Sequence, residues 1–73
     1  MAGQPDDLKK LIAVATDLGL SAKLRTKAIE LIGHIGTHEA LLALLALVAN
    51  EQLTKGEKEL ALKYAREIIK SGH

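Results

Sequence analysis

The sequence contains no cysteine, phenylalanine or tryptophan, and only one tyrosine and one proline. Without cysteine, a disulfide-stapled secreted scaffold, a thiolate metal site and a thiol nucleophile are all excluded. With a single aromatic residue in 73, the hydrophobic core has to be built from aliphatic side chains.

A large charge of one sign is also lacking. The chain has ten Lys and Arg residues and nine Asp and Glu residues, which give a formal net charge of +1. So small a net charge provides no long-range electrostatic attraction to nucleic acid or anionic lipid. The longest apolar run, residues 40–49, is about half the roughly 20 residues that cross a bilayer. The first residues have neither the basic nor the apolar stretch of a secretory signal. We therefore expect a cytoplasmic location and no membrane partner.

What the sequence does contain is typical of a small globular domain. Hydrophobic residues make up 48% of the chain and charged residues 26%, which argues against disorder. Ala, Leu, Lys and Glu dominate, and neither a hairpin dipeptide nor sustained alternation of apolar and polar residues occurs. With short connections between the helices, this predicts a single all-α domain over residues 1–73, with about four antiparallel helices stacked as helical hairpins.

Residues suited to begin or end a helix recur along the chain. Pro5 suits a first turn, and Ser21, Thr37 and Thr54 suit N-caps. Thr54 and Glu57 also have the spacing of a capping box. Glycines at positions 19, 36 and 72 supply stops, so the predicted helices lie near 5–18, 21–35, 38–50 and 55–71.

Apolar residues recur at helical spacing within these segments. The stripe of the first helix comprises Leu8, Leu11, Ile12, Ala15 and Leu18; that of the second comprises Leu24, Ala28, Leu31, Ile32 and Ile35; and that of the fourth comprises Leu60, Ala61, Ala65, Ile68 and Ile69.

The two halves of the chain resemble each other. Residues 8–18 align without a gap on 41–51, with Asp17 matching Asn50, and residues 24–32 align on 61–69. The offsets of 33 and 37 residues fall in the range of helical-hairpin solenoids, although two amphipathic Leu/Ala helices can also align by chance.

One segment follows a known repeat pattern at Leu24, Arg25, Ala28, Ile32, Gly33, Ile35 and Gly36. On these residues, 24–51 resembles a HEAT repeat, particularly the short variety of phycobilisome-lyase-type proteins. The resemblance implies a HEAT/armadillo-like stack of helical hairpins, and it implies that Asp17 is the inter-repeat aspartate that accompanies Arg25. Leu62 and Asn50 stand at the corresponding positions of the second copy, so this polar pair is not carried over there.

Candidates for chemistry are few. His34 and His38 have the four-residue spacing of a helical metal site, with Glu39 as a third ligand, but a helix end at Gly36 would separate them. We interpret them as surface histidines near a loop. The paired carboxylates lie in first helical turns, where they compensate the helix dipole, and a chain this small scarcely forms a catalytic cleft. We expect no enzyme activity, no cofactor, no metal and no small-molecule substrate.

The third helix is the unusual one, because residues 40–49 include no polar side chain. Such a helix needs cover on nearly every side, which predicts a central position in the stack. Either the other helices cover it completely, or some leucine surface stays exposed and docks another protein or a second copy. The residues that we expect to make this contact are Leu42, Leu45 and Leu47.

The sequence therefore predicts a non-catalytic helical module for protein–protein interaction or assembly. One alternative is a small DNA-binding helical domain, since several helices are joined by short glycine-containing turns. The basic stripe along Lys63, Arg66 and Lys70 is interpreted as an ordinary solvated surface, because Glu59 and Glu67 can pair with Lys63. Another is a designed or fragmentary repeat with no function of its own.

Overall fold

A computed structural model describes residues 5–71, and this part of the chain forms four α-helices and no β-strand. The predicted all-α stack of four helices is confirmed. The predicted stop at Gly72, like the outermost residues of the predicted domain, lies outside the described residues. The helices are α1 (Pro5–Ala15), α2 (Ala22–Ile35), α3 (His38–Val48) and α4 (Lys55–Lys70).

Local hydrogen bonds start three of these helices at the predicted caps. The hydroxyl oxygen of Ser21 accepts from the Leu24 amide, and the hydroxyl oxygen of Thr37 accepts from the Ala40 amide. At α4 the capping box is complete, since the Thr54 hydroxyl accepts from the Glu57 amide and the Glu57 carboxylate accepts from the Thr54 amide. Gly36 ends α2 with φ 71°, a left-handed conformation that glycine adopts without strain.

Two helices end earlier than predicted, each before a turn that a side chain stabilises. Helix α1 ends at Ala15 rather than near 18, where the Asp17 carboxylate accepts from the Gly19 amide at 2.9 Å. Helix α3 ends at Val48 rather than near 50, where the Asn50 side chain accepts from an amide two residues later, also at 2.9 Å. Both bonds offer the backbone an alternative to the helix. The two residues occupy matching positions in the internal alignment, so they perform the same local role.

The helices pack as two hairpins, α1 with α2 and α3 with α4. Helix α2 joins the hairpins, because it packs against α3 and α4 as well as against α1. The expectation that α3 is central is therefore wrong. Helix α3 lies against α2 and α4 on one side only, which leaves its opposite side outside the core.

The core is aliphatic, as the scarcity of aromatic residues predicts. Several residues of the predicted apolar stripes do not enter it: Leu18 lies beyond the end of α1, Leu24 and Leu31 lie on an outward side of α2, and Ile69 is 57% exposed. The buried hydrophobic residues are Ala15, Ala28, Ile29, Ile32, Ala40, Leu41, Leu44, Leu47, Leu53, Ala61, Ala65 and Ile68.

Helices α2 and α4 approach each other closely at Gly33. A Cβ atom added there would lie 2.6 Å from Cγ of Tyr64, closer than packed atoms allow. The tyrosine ring also meets the His34 ring edge-on, with centroids 6.0 Å apart and an interplanar angle of 80°. The absence of a side chain at Gly33 therefore leaves room for the Tyr64 ring between α2 and α4.

Candidate functional site

Helix α3 presents an apolar surface to solvent. Leu42 is 54% exposed and Leu45 is 41% exposed, and Ala46 and Ala49 are exposed beside them. These four residues, which we call the α3 face, lie at positions i, i+3, i+4 and i+7 and so share one side of the helix. The other helices therefore do not cover α3 completely.

Leu47, the third predicted contact residue, does not belong to this surface. It is only 2% exposed, so its predicted place in an exposed docking surface is wrong. Leu47 follows the fully buried Leu44 by three residues, and this spacing places both on the side of α3 that packs against α2 and α4. The structure thus brings Leu42 and Leu45 together and assigns Leu47 to the core.

Acidic residues flank the α3 face. Glu39 lies in the first turn of α3, Glu51 lies in the turn that follows the helix, and both are exposed. No charged residue interrupts the sequence between them. The surface therefore combines an apolar centre with negative charge near both ends.

A second surface is a shallow groove of about 570 Å³ between α2 and α4, which we call the α2–α4 groove. Leu24, Leu60 and Tyr64 supply its apolar part. Lys23 and Lys27 stand on its α2 side. The residues that line it are Lys23, Leu24, Thr26, Lys27, Glu30, Leu60 and Tyr64.

The lysine side chains around this groove are exposed. Nζ of Lys27 lies 3.2 Å from the Glu30 carboxylate, and the Lys27 side chain remains 65% exposed. Nζ of Lys63 lies 5.8 Å from the centre of the Tyr64 ring, a cation–π distance. Sequence reasoning missed this groove, because it placed Leu24 and Leu60 in the stripes of separate helices and had no signal for how those helices meet.

Arg25 and Glu57 form a buried ion pair between α2 and α4. Nε and Nη2 of Arg25 each lie 2.9 Å from Oε2 of Glu57, and Nη1 donates to the carbonyl oxygen of Leu20 at 2.8 Å. The resemblance implied Asp17 as the companion of Arg25, but the carboxylate paired with this guanidinium is that of Glu57. Asp17 accepts from the backbone of its own turn instead.

Burial by itself raises the pKa of Glu57. The hydrogen bond from the Thr54 amide, the hydrogen bonds and positive charge of Arg25, and the Thr54 hydroxyl outweigh burial, so the pKa of Glu57 lies below its ordinary value. Among the described residues, no buried side-chain nitrogen or oxygen is left without a hydrogen bond. Both groups are thus engaged in holding the helices together.

The two histidines lie on different helices, as predicted. His34 lies in the last turn of α2 against Tyr64, and His38 is the first residue of α3. Within residues 5–71, no three His, Cys, Asp or Glu side chains are grouped so that they could hold a metal ion. Over the same residues, none of the helices has the length and apolar character needed to cross a membrane.

No protein-family model matches the sequence, and comparison with curated proteins and with solved structures finds no match either.

Proposed function

We propose that this chain is a non-catalytic helical module that binds another protein through the α3 face. The observation that carries the proposal is the exposure of Leu42 and Leu45 on a helix with no polar side chain in residues 40–49. Exposed leucines grouped on one side of a helix favour a protein contact, since burial against a partner removes apolar surface from water.

The magnitude of this contribution favours a reversible contact. Fully burying an exposed leucine contributes about 1.5–3 kcal/mol. Leu42 and Leu45 are each about half exposed, so burying both contributes about as much as burying one fully exposed leucine. Association has its own entropic cost, so affinity and specificity must also come from the alanines and from the charges near the α3 face.

The buried ionisable groups support a non-catalytic role. Arg25 and Glu57 bond to each other between α2 and α4, and their other hydrogen bonds are with backbone groups. We interpret the two hairpins as a HEAT-like stack, an architecture in which helix faces form the binding surface. The proposed location is the cytoplasm, as the sequence predicts.

Affinity capture with matched variants tests the proposal. Wild type, Leu42→Glu and Ile69→Glu are immobilised, and any protein retained by the wild type is purified and titrated against all three. Ile69 is as exposed as Leu42 and lies outside the α3 face, so Ile69→Glu is the control. We expect Leu42→Glu to raise the dissociation constant by about tenfold or more, because the partner would have to bury a carboxylate, whereas Ile69→Glu should leave it unchanged. Equal binding by wild type and Leu42→Glu would contradict the proposal.

A further inference from the structure

We propose that the α3 face docks into the α2–α4 groove of a second copy of this chain, so that copies associate head to tail. The inference rests on the proposed function for the α3 face and adds the identity of the partner surface. Three features of the described residues support it: their apolar surfaces, their charges and the separation of the two surfaces.

One surface is an apolar helix face and the other is a groove with an apolar part. Leu42 and Leu45 project from one side of a helix, with exposed alanines beside them that allow close approach. The groove is concave, and Leu24 and Tyr64 lie within it. Laying the apolar side of a helix into an apolar groove is a recurring mode of protein recognition.

The charges of the two surfaces are opposite. The α3 face is flanked by Glu39 and Glu51, whereas Lys23 and Lys27 line the groove and Lys63 lies beside Tyr64. Glu30 also lines the groove and pairs with Lys27, so the three lysines exceed the one carboxylate there. Docking therefore brings exposed carboxylates towards exposed ammonium groups, which favours both the encounter and its orientation.

The same charges disfavour a symmetric pairing of two α3 faces. If two copies of α3 met antiparallel across a two-fold axis, Glu39 of one copy would approach Glu51 of the other. Like charges in contact are destabilising. The groove of a second copy is therefore the better partner for the α3 face.

The two surfaces are also separate. None of the described residues that line the groove belongs to α3, so one copy can use both surfaces at the same time. A heterologous contact of this kind does not stop at a dimer unless the copies close into a ring.

Sedimentation of the full chain tests this inference. Between about 10 µM and about 1 mM, the range expected of a small interface, we expect the average mass to rise above the monomer mass of 7.8 kDa and then past the dimer. Leu42→Glu and Leu24→Glu should each reduce this association by about tenfold or more, and Ile69→Glu should not.

Mixing the two variants is the decisive measurement. Leu42→Glu keeps an intact groove, and Leu24→Glu keeps an intact α3 face. We expect each to be monomeric alone and the mixture to form a one-to-one complex of twice 7.8 kDa that grows no further. Circular dichroism verifies that each variant is folded. If Leu24→Glu is unfolded, the double variant Lys23→Glu/Lys27→Glu, which changes two exposed residues of the groove, replaces it in the experiment.

Three outcomes would overturn the inference. A wild type that stays monomeric at about 1 mM removes it but leaves the proposed binding of another protein standing. Association that is lost with Leu42→Glu but unaffected by the groove variant, with no complex on mixing, indicates paired α3 faces; the α3 face then still binds protein. Association that is insensitive to Leu42→Glu removes the inference and counts against the proposed function as well.

Discussion

Nε of Arg25 donates a hydrogen bond of 2.9 Å to Oε2 of Glu57, 32 positions later in the chain. The other carboxylate oxygen of Glu57 accepts from the Thr54 amide, also at 2.9 Å. One carboxylate thus completes the capping box of α4 and holds α4 against α2. The same guanidinium reaches the carbonyl oxygen of Leu20 in the turn after α1. This small network ties the start of α4 to the first hairpin.

Replacing Arg25 by methionine tests how much this network contributes. The change leaves the buried Glu57 carboxylate without its cation, and breaking a buried pair from one side costs about 3–5 kcal/mol. A core of this size supplies about 3–5 kcal/mol in total, so we expect Arg25→Met to lose most or all of its cooperative unfolding transition in urea. The control is Lys27→Met, which removes an exposed lysine two residues away and should change the free energy of unfolding by less than about 0.5 kcal/mol.

A double-mutant cycle measures the interaction energy between Arg25 and Glu57 separately from the effect of each single substitution. Glu57→Gln has one acceptor oxygen where the carboxylate uses two, so it loses either the bond from the Thr54 amide or the bonds from Arg25 and leaves the Arg25 cation without its anion; it should therefore also lower the free energy of unfolding. The double variant Arg25→Met/Glu57→Gln should be more stable than Arg25→Met, because it leaves no unpaired buried charge. Additive effects of the two changes would show that the pair is not energetically coupled.

The dependence of stability on pH follows from the lowered pKa of Glu57. The folded state holds this carboxylate ionised more strongly than the unfolded state does, so its contribution is fully present above the ordinary pKa of 4.5. The contribution is lost as the pH falls through the lower pKa of the folded state, because the Glu57 carboxylate of the folded protein then becomes protonated and loses its negative charge. We expect the urea midpoint to fall more steeply across this acidic range for the wild type than for Glu57→Gln. Parallel pH profiles of the two proteins would disprove this assignment.

Two glycines in helices should respond oppositely to alanine. At Gly33 the new Cβ would lie 2.6 Å from Tyr64, so we expect Gly33→Ala to lower the free energy of unfolding by about 1–3 kcal/mol despite the better helix propensity of alanine. At Gly56, in the first turn of α4, the added carbon would meet no described atom within 4 Å beyond its chain neighbours and the adjacent backbone of its own helix. Gly56→Ala should raise the free energy of unfolding by about 0.5–1 kcal/mol. Chemical denaturation of both variants measures the difference, and a stabilised Gly33→Ala would refute the close contact.

Alanine substitutions on the two sides of α3 should also differ in their effect on the free energy of unfolding. Leu47→Ala leaves a cavity in the core and should lower the free energy of unfolding by about 2–5 kcal/mol. Leu42→Ala removes a half-exposed side chain and should cost about 1 kcal/mol or less in the monomer. Thermal unfolding at low micromolar concentration compares them, and equal losses would mean that the side of α3 facing the core is wrongly assigned.

The caps were predictable because each depends on a few neighbouring residues. The Thr54–Glu57 capping box and the left-handed Gly36 are both legible in the sequence and both present in the structure. The early end of α1 at Ala15 was missed although it too is local, because the bond from Gly19 to Asp17 competes with a helical pattern that continues through Leu18.

The orientation of α3 was not predictable in this way. Residues 40–49 are apolar all around the helix, so no polar residue marks which side faces water. Leu47 and Leu42 are therefore equivalent in the sequence, and only packing against α2 and α4 separates them. The α2–α4 groove was missed for a related reason, since its apolar residues come from two helices whose contact is not a local property.

By itself, the sequence determined four helices, most of their ends and an aliphatic core, because helical period, capping and composition act within a few residues of the chain. Tertiary structure alone decided that Arg25 pairs with Glu57 rather than with Asp17, that α2 is the central helix, and that Leu42 and Leu45 lie outside while Leu47 lies within. These outcomes depend on how separate helices meet, and the burial and charge pairing that govern that meeting join residues far apart in the chain.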